Sequence, residues 1–265
     1  MASDKTSLGD RMKEYEKVSR HSLIKRMPVM IRIDGRAFHT FTRGFQKPFD
    51  PVLCNAMKDT MAYLCDNIQN CVLGYTQSDE ITLVLVDYAD INTDVWFGNG
   101  IQKMASVSAS MATMFFNKRF EMYNNDSILN GAGGVVSSIE DGVVSSYFNK
   151  RERAISKGAC FDARVFNVPV DEVTNAVLWR QEDAIRNSKS SLAQHYFSAK
   201  ELHKKTANEM VAMVKEKTGI AWDELPIWMQ RGSACIKKNG TWVIDDEMPI
   251  LKGEGRNYVE QLIQF

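Results

Sequence analysis

The chain has 265 residues, enough for one large domain or two small ones. Its 33 Lys and Arg residues balance its 33 Asp and Glu residues, which excludes a uniformly basic nucleic-acid coat and an acidic solubilising tail. A hydrophobic content of 44% with 16 Gly and 6 Pro excludes disordered, collagenous and low-complexity classes. Any polyanionic ligand must therefore meet a local basic patch.

Cysteine usage and hydropathy bear on the cellular compartment. The five cysteines are odd in number, form no Cys-x-x-Cys pair and stand mostly within apolar patterns, where a thiol behaves as a small hydrophobic group. The first ten residues are polar, and no apolar run approaches the ~18 residues that cross a bilayer. We therefore predict a cytoplasmic protein without a membrane partner.

The first predicted elements are a strand, a helix and a hairpin. Residues 29–35 form an apolar, β-branched run that predicts a buried strand. Apolar residues at helical spacing predict an amphipathic helix over 52–66. Two strand-like runs within 71–86 meet at a short polar turn, which predicts a β-hairpin with acidic residues at its tip.

A second helix is predicted over 101–120, where small residues on one face would allow close packing on a sheet. Beyond it the composition shifts to Gly, Ser and Asn. This shift predicts an excursion over 124–146, or a hairpin that turns at Asp141 and Gly142. We regard the surrounding stretch, about 124–157, as an insertion.

Residues 160–169 predict a fourth strand ended by proline, followed by a helix over 171–186 with Trp179 on its apolar face. The resulting order, β, α, β, β, α, β, is typical of ferredoxin-like folds. We predict an α+β protein whose antiparallel sheet carries helices on one face. The catalytic domain would span residues 1–187, and residues 188–265 would form a smaller helical and β extension, with a helix from about 198 to 217.

Three carboxylates are expected to meet at one end of this sheet. Asp34 ends the first strand, and Asp79 and Glu80 lie at the hairpin tip. A ferredoxin-like sheet places the first strand beside the hairpin, so these side chains converge. Carboxylate oxygens suit Mg²⁺, and two such ions ~3.5–4 Å apart stabilise phosphoryl displacement.

A basic loop follows the first of these carboxylates. The backbone amides from Gly35 to His39 could wrap a triphosphate, and Gly35 would allow the backbone to approach it closely. Arg32, Arg36 and Lys47 would neutralise its charge. An isolated Asp-Gly after a strand is usually only a turn, and an acidic pair at a hairpin tip is usually solvated. Their combination on adjacent elements, beside basic residues, favours a metal site for phosphoryl transfer.

Five motifs in chain order resemble the tRNA-His guanylyltransferase family, and more specifically its bacterial Thg1-like branch of 3′ to 5′ polymerases that repair tRNA 5′ ends. The matching region runs from about residue 29 to residue 187. The motifs are Arg32-Ile-Asp-Gly-Arg-Ala-Phe-His39, Gly44-Phe-Gln-Lys-Pro48, Gln77-Ser-Asp-Glu80, Phe161-Asp-Ala-Arg-Val165 with Pro169, and Trp179-Arg-Gln181.

The resemblance implies a polymerase- or cyclase-like palm and a role for each matching residue. Two Mg²⁺ ions would be held by Asp34, the carbonyl of Gly35, and Asp79, with Glu80 beside them and needed for activity. The remaining nucleotide contacts would be Lys47 and Ser78 to the triphosphate, the backbone of Arg36, Ala37, Phe38 and His39 as its cradle, and His39 and Asp50 at the guanine.

The activity implied is template-dependent 3′ to 5′ addition of nucleotides to the 5′ end of tRNA, with GTP preferred for tRNA-His. A 5′-monophosphorylated tRNA would first be activated with ATP or GTP, whereas a 5′-triphosphorylated tRNA would skip that step. The partners implied are tRNA, held through its 5′ end and acceptor stem, ATP and GTP as substrates, and further copies of the chain in a homotetramer.

Two stretches depart from the family pattern. Where eukaryotic members carry His-Ile-Asn-Asn-Leu-Tyr-Asn, this chain has residues 185–191, in which only Asn187 persists. Where the family usually has Arg-Arg-x-x-Lys, residues 99–103 keep only Lys103. The first difference favours the Thg1-like branch over obligate tRNA-His selectivity, and the second predicts a weaker or relocated grip on the 5′ phosphate.

Two local basic segments are candidates for the tRNA backbone. Residues 149–157 carry a net charge of +3 and residues 186–205 a net charge of +4. Contacts of this kind depend on salt and carry little sequence information, and solvated helix faces would show the same pattern. The predicted tRNA-binding residues are Lys103, Lys150, Arg151, Arg153, Arg186, Asn187, Lys189, Lys204 and Lys205.

Two other functions share these residues. A palm-type nucleotide cyclase or second-messenger synthase would use Asp34, Asp79 and Glu80 without tRNA. A catalytically inactive tRNA-binding homologue would keep the fold, although the presence of all three carboxylates and Lys47 argues against it. Metal-dependent incorporation of a nucleotide into tRNA distinguishes the three.

Overall fold

A computed structural model of the chain describes residues 6–129 and 141–265, and it contains a six-stranded antiparallel sheet. The strand order is β4-β1-β3-β2-β5-β6. The predicted βαββαβ arrangement, with the first strand beside the hairpin, is confirmed, and two later strands extend the same sheet. The strands are β1 (Val29–Gly35), β2 (Cys71–Gln77), β3 (Glu80–Leu85), β4 (Phe161–Asn167), β5 (Ser233–Lys238) and β6 (Thr241–Asp245).

The described helices differ widely in length, from one turn to eight. None of them is both long enough and apolar enough to cross a membrane. They are α1 (Ser7–Lys17), α2 (Phe38–Phe41), α3 (Pro51–Asn67), α4 (Ile101–Leu129), α5 (Asp141–Lys157), α6 (Val173–Tyr196), α7 (Ala199–Leu202), α8 (Ala207–Thr218), α9 (Ile227–Arg231) and α10 (Asn257–Glu260).

The two faces of the sheet bury separate cores because successive side chains of a strand point to opposite sides. On β1, Ile31 and Ile33 pack in the core that α3 and α4 cover. Met30 faces the other way and packs in a second core with α6 and the C-terminal segment. The two helices expected on one face are therefore present there, and α6 adds a layer on the opposite face.

The prediction of an excursion over 124–146 is wrong for the part that the structure describes. Helix α4 continues to Leu129, and α5 begins at Asp141, so Asp141 and Gly142 form no hairpin turn. Residues 130–140 lie outside the described residues. Tertiary contact outweighs the local Gly, Ser and Asn composition here, because α4 and α5 pack together and the Asn124 amide donates to the Glu152 carboxylate at 2.8 Å.

The prediction that Trp179 lies on an apolar helix face is also wrong. The buried stripe of α6 contains Val173, Val177 and Ala184, whereas Trp179 is 51% exposed. The helix is longer than predicted and ends at Tyr196, so the predicted domain boundary after residue 187 lies inside it. The single helix predicted from about 198 to 217 is instead two helices, α7 and α8, each starting with a capping box.

Candidate active site

The three acidic residues singled out from the sequence meet where β1 ends against the β2–β3 turn. Asp34 and Glu80 are direct partners in the β1–β3 register. Ser78, with a left-handed backbone, and Asp79 form the turn, and the Asp79 carbonyl accepts the Gly35 N–H at 3.0 Å. This backbone hydrogen bond fixes the hairpin tip against the end of the first strand.

Burial and mutual repulsion raise the pKa of two of these carboxyls. Burial is the main cause for Asp79; a hydrogen bond from Ser78 lowers its pKa, and the nearby Asp34 charge raises it. Burial also raises the pKa of Glu80, which Arg180 and Arg32 lower and Asp34 raises. The charge of Asp34 therefore disfavours ionisation of both neighbours, and at Glu80 the two arginines oppose this effect.

Glu80 is held by an arginine that the sequence analysis did not assign to the site. The Arg180 Nε donates to Glu80 Oε1 at 2.6 Å, and its Nη2 donates to Asp183 at 2.9 Å. Arg32 lies 3.8 Å from the other Glu80 oxygen, and its buried Nε has no hydrogen-bond partner among the described residues. Arg180 lies within the Trp179-Arg-Gln181 motif, so the sequence marks this residue. Its contact with Glu80 becomes visible only when the position of α6 is known.

A fourth acidic residue stands on the other side of Asp34. Asp162 of β4 is the direct register partner of Asp34. Its side chain is 54% exposed and lies 3.5 Å from Arg164. The row Glu80, Asp34, Asp162 therefore crosses three neighbouring strands. The Phe161-Asp-Ala-Arg motif contained this residue, which was given no role from the sequence.

The carboxylates suit a divalent cation that substrate helps to bind. Within residues 6–129 and 141–265, no three His, Cys, Asp or Glu side chains come together as a complete metal site. Mg²⁺ usually binds through one or two carboxylates, with phosphate oxygens and water completing its shell. Asp34 and Asp79 are half-buried and repel each other, and the Gly35 carbonyl lies at the end of the same strand as Asp34. These groups could supply the protein's share of the ligands of such an ion.

A cavity of about 320 Å³ opens beside the carboxylates, between α3, α6 and the segment that precedes β5. Its size matches pockets that bind small ligands. The trace of Gln77 to Asp79 forms one wall, and Asn187, Ser188 and Ser191 of α6 form another. Five of the residues predicted to bind nucleotide line it: Phe38, His39, Lys47, Asp50 and Ser78.

Asp50 lines this cavity, but its carboxylate is already hydrogen-bonded to other groups of the protein. It is 3% exposed and caps α3 by accepting the N–H groups of Val52 and Leu53. Its other oxygen accepts the Gln46 N–H and two bonds from Arg151, at 3.1 and 2.9 Å. Arg151, predicted to bind tRNA, is itself only 7% exposed, so these two predicted ligand contacts instead bind each other.

The remaining predicted nucleotide contacts lie elsewhere around β1. Arg36 and Ala37 line a second, smaller cavity, and Arg32 lies on the sheet face near Glu80. Two amides of the expected phosphate cradle are already used, because Gly35 donates to Asp79 and Arg36 donates to Cys160. The amides of residues 37–39 have no acceptor within the part of the chain that the structure describes.

Gly35 is required by side-chain packing. A Cβ at this position would lie 2.3 Å from the Phe38 ring, which is closer than any real contact. The ring of Phe38 packs against Phe116 and Phe161 at 5.7 and 5.1 Å. The glycine thus lets the loop after Asp34 fold back onto the core.

The predicted tRNA contacts are dispersed over the surface. Lys103 lies 4.5 Å over the Phe97 ring, Arg186 bonds Asp183, and Lys189 bonds Asn208. Lys204 and Lys205 are exposed after α7, while Asn187 lines the first cavity. Lys150 and Arg153 line the second cavity together with Arg36. The structure therefore brings only this last group into one place.

A palm-like sheet with carboxylates at the end of β1 and the β2–β3 turn, beside a nucleotide-sized cavity, defines a nucleotidyltransferase. The family model of tRNAHis guanylyltransferase matches residues 9–169. This match covers more than half of the chain, so the chain belongs to the tRNAHis guanylyltransferase family.

Similar proteins extend this relationship over nearly the whole chain. A bacterial tRNA(His) guanylyltransferase (Thg1)-like protein in complex with ATP is 39% identical with a TM-score of 0.82, covering 98% of this chain and 100% of that one. A bacterial Thg1-like protein in complex with GTP is 37% identical with a TM-score of 0.73 over the same shares. An uncharacterized protein, R259 of Acanthamoeba polyphaga mimivirus, is 28% identical over 243 residues, 87% of this chain and 77% of its own.

We expect Arg180→Gln to lower the rate of nucleotide transfer at least about tenfold at pH 7. Arg180 lowers the pKa of Glu80, so its loss lets burial raise that pKa further and leaves less carboxylate ionised at a given pH. The acidic limb of the pH–rate profile should therefore move to higher pH, and the deficit should shrink as pH rises. The measurement is a pH–rate profile of both proteins.

Two further variants interpret this profile. Arg180→Lys should restore part of the rate and return the acidic limb toward its original position. Arg256→Gln removes a half-buried arginine that bonds Glu260 and Asn175 away from the carboxylates, and it should leave the profile unchanged. A profile for Arg180→Gln that is uniformly lower but not displaced would show that Arg180 does not set the ionisation of Glu80.

Proposed function

We propose that this protein adds nucleotides in the 3′ to 5′ direction to the 5′ end of tRNA, templated by the opposite strand, with GTP preferred for tRNA-His. The observation that carries the proposal is the meeting of Asp34, Asp79 and Glu80 at one end of the sheet, where Asp79 lines a cavity together with Lys47 and Ser78. The ATP and GTP complexes of the similar bacterial proteins support nucleotides as the cavity's ligands.

The cavity would bind the phosphates of a nucleotide with polar groups and its base near His39. Lys47 and Ser78 line the same cavity as Asp79, and both would contact phosphates bound there. The amides of residues 37–39 would add donors to the same group. Because the Asp50 carboxylate already accepts five hydrogen bonds, we assign it to holding the cavity wall and leave contact with the base to His39.

Asp34, the carbonyl of Gly35, and Asp79 would hold Mg²⁺. Bound there, two such ions would supply positive charge to the phosphate oxygens and help to ionise the attacking hydroxyl. The protein's own part is to position these ligands on a rigid strand end and hairpin tip. Glu80, fixed by Arg180, would keep a third carboxylate beside those of Asp34 and Asp79.

The chemistry needs no nucleophile from the protein. For a 5′-monophosphorylated tRNA, a terminal phosphate oxygen would attack the α-phosphorus of ATP and release pyrophosphate. The 3′-hydroxyl of the incoming GTP would then attack the tRNA 5′ phosphorus, lose its proton and release AMP. With a 5′-triphosphorylated tRNA the same attack would release pyrophosphate directly, so activation is omitted. Positioning and charge stabilisation carry such transfers.

We propose that tRNA contacts the exposed cations predicted from the sequence, and that the protein repairs tRNA 5′ ends in the cytoplasm. Arg151 is left out of this surface because Asp50 buries and neutralises it. The tRNA would be held mainly through its phosphates, so its affinity should fall with salt. Assembly into a homotetramer, as the family resemblance implies, stays part of this proposal.

The test is incorporation of labelled GTP into a 5′-truncated tRNA that carries a 5′-triphosphate, with Mg²⁺ or with EDTA. We expect Mg²⁺-dependent extension by one templated nucleotide and none with EDTA. A second tRNA with a mismatching template nucleotide should be extended much less. Turnover of GTP or ATP without extension would contradict the proposal and favour a cyclase-like enzyme.

A further inference from the structure

The second cavity lies behind the loop that borders the nucleotide cavity. It has a volume of about 190 Å³ and lies between residues 36–43 and helix α5. The loop residues divide between the two cavities: Phe38, His39 and Thr42 line the first, whereas Ala37 and Thr40 line the second. One short segment thus forms a wall of both cavities.

Among the residues that the structure describes, five cationic side chains and no carboxylate line this second cavity. Two come from the loop and three come from one face of α5, at spacings of three and four residues. None of the five has a hydrogen-bond or ion-pair partner among the residues that the structure describes. They are Arg36, Arg43, Lys150, Arg153 and Lys157.

The acidic groups nearest in sequence on α5 and at the start of α3 are already engaged. Asp50 is bound to Arg151, and the Glu152 carboxylate accepts the Asn124 amide. The repulsion among five neighbouring cations is therefore uncompensated by the described residues. Such a concentration of one charge raises the local concentration of an oppositely charged ligand.

A glycine in the loop allows the cations of the loop and those of α5 to lie close together. Gly44 has φ +86°, and a Cβ there would lie 3.2 Å from the Lys150 side chain. The aliphatic part of Lys150 therefore crosses the loop directly over this glycine. The packing holds α5 against the loop and keeps its cations beside Arg36 and Arg43.

The size and lining of the cavity select phosphate groups over a whole nucleotide. Pockets that hold drug-sized ligands occupy ~300–1,000 Å³, more than is present here. The one aromatic ring that the described residues contribute to the lining, Phe41, is already packed against Phe38 and Phe120 at 5.0 and 5.4 Å. A base would find no free ring to stack on, whereas a short run of phosphates would meet five cations.

We propose that this cavity is a second anion site, distinct from the nucleotide cavity, which binds a short run of phosphate groups. The phosphates could belong to the 5′ end of the RNA, to its backbone, or to a free polyphosphate, since all three share the same chemistry. The inference of an anion site does not depend on the proposed activity. The assignment of this site to RNA does depend on that activity.

The test compares two double variants that each remove two positive charges. Arg43→Gln with Lys157→Gln changes the cavity, and Lys118→Gln with Lys215→Gln changes exposed lysines outside it. Binding of inorganic tripolyphosphate is measured by calorimetry without divalent cations. Any binding in the nucleotide cavity, which both variants keep intact, contributes equally to all the proteins. We expect at least about tenfold weaker binding for the cavity variant and less than twofold change for the control.

RNA binding then distinguishes the sources of the phosphates. Matched RNAs carrying a 5′-triphosphate or a 5′-hydroxyl are titrated against the same variants at several salt concentrations. Weakening of only the triphosphorylated RNA assigns the cavity to the 5′ end, weakening of both RNAs assigns it to the backbone, and weakening of neither assigns it to free polyphosphate.

The proposal is overturned if both double variants and the unchanged protein bind tripolyphosphate equally. Thermal melting of all three proteins verifies that the substitutions leave the fold intact. Because this readout involves no nucleotide transfer, its failure would leave the proposed activity standing. Conversely, an inactive protein that binds tripolyphosphate in this cavity would retain the site and lose only the proposed function.

Discussion

Asp79→Ala should lower the rate of nucleotide addition at least about 10³-fold, with both 5′-monophosphorylated and 5′-triphosphorylated tRNA. The substitution removes one of two aspartates whose charges meet at the site and leaves the Asp79 carbonyl free to keep its bond to Gly35. The hairpin tip should therefore retain its place. Single-turnover assays with each tRNA measure the loss of activation and of addition separately.

Binding of tRNA provides the control for this variant. The affinity of the variant for tRNA should change less than twofold, because RNA phosphates are bound by cationic side chains and the substitution removes none of these. Asp171→Ala, which removes an exposed carboxylate in the turn before α6, should match the unchanged protein in both measurements. Addition near the original rate by Asp79→Ala would exclude Asp79 as a metal ligand.

Asp50→Ala should lower the free energy of unfolding by about 3–5 kcal/mol, as breaking one side of a buried ion pair does. The change leaves the Arg151 guanidinium buried without its partner and removes the N-terminal cap of α3. The Gln46 N–H also loses its acceptor. Urea unfolding at pH 7, followed by fluorescence, measures the difference.

Two further variants separate the causes of this loss. Asp50→Asn keeps an oxygen to cap α3 but removes the charge, so it should be less destabilising than Asp50→Ala. Combining Asp50→Asn with Arg151→Met removes both charges and should recover part of the stability, because no charge then stays buried alone. A loss below about 1 kcal/mol for Asp50→Ala would contradict a stabilising role for the pair.

The central strands and their carboxylates could be predicted because their signals are local. The run of residues 29–35 is apolar and β-branched, and it forms β1 with those bounds. The hairpin of β2 and β3 follows from two apolar runs that surround a polar turn. Once the sheet order is known, the convergence of Asp34 with Asp79 and Glu80 follows directly.

The contacts that hold the site could not be predicted because they depend on long-range packing. Arg180 reaches Glu80 only because α6 crosses the face of the sheet opposite α3 and α4. Asp50 meets Arg151 across 101 residues, through a helix that the composition did not indicate. No local pattern indicates such pairings, so the sequence predicts ligand contacts at Asp50 and Arg151, which the fold pairs with each other.

The course of α6 has a consequence for how substrate choice can change during evolution. Its N-terminal half carries Arg180 beside the carboxylates, and its C-terminal half contributes Ser188 and Ser191 to the cavity. Beyond it, Trp228 and Ser233 complete the same wall. If the cavity binds the nucleotide as proposed, mutations after residue 187 would alter which nucleotide is accepted while the strand-borne carboxylates stay constant, so specificity and chemistry would diverge independently along one chain.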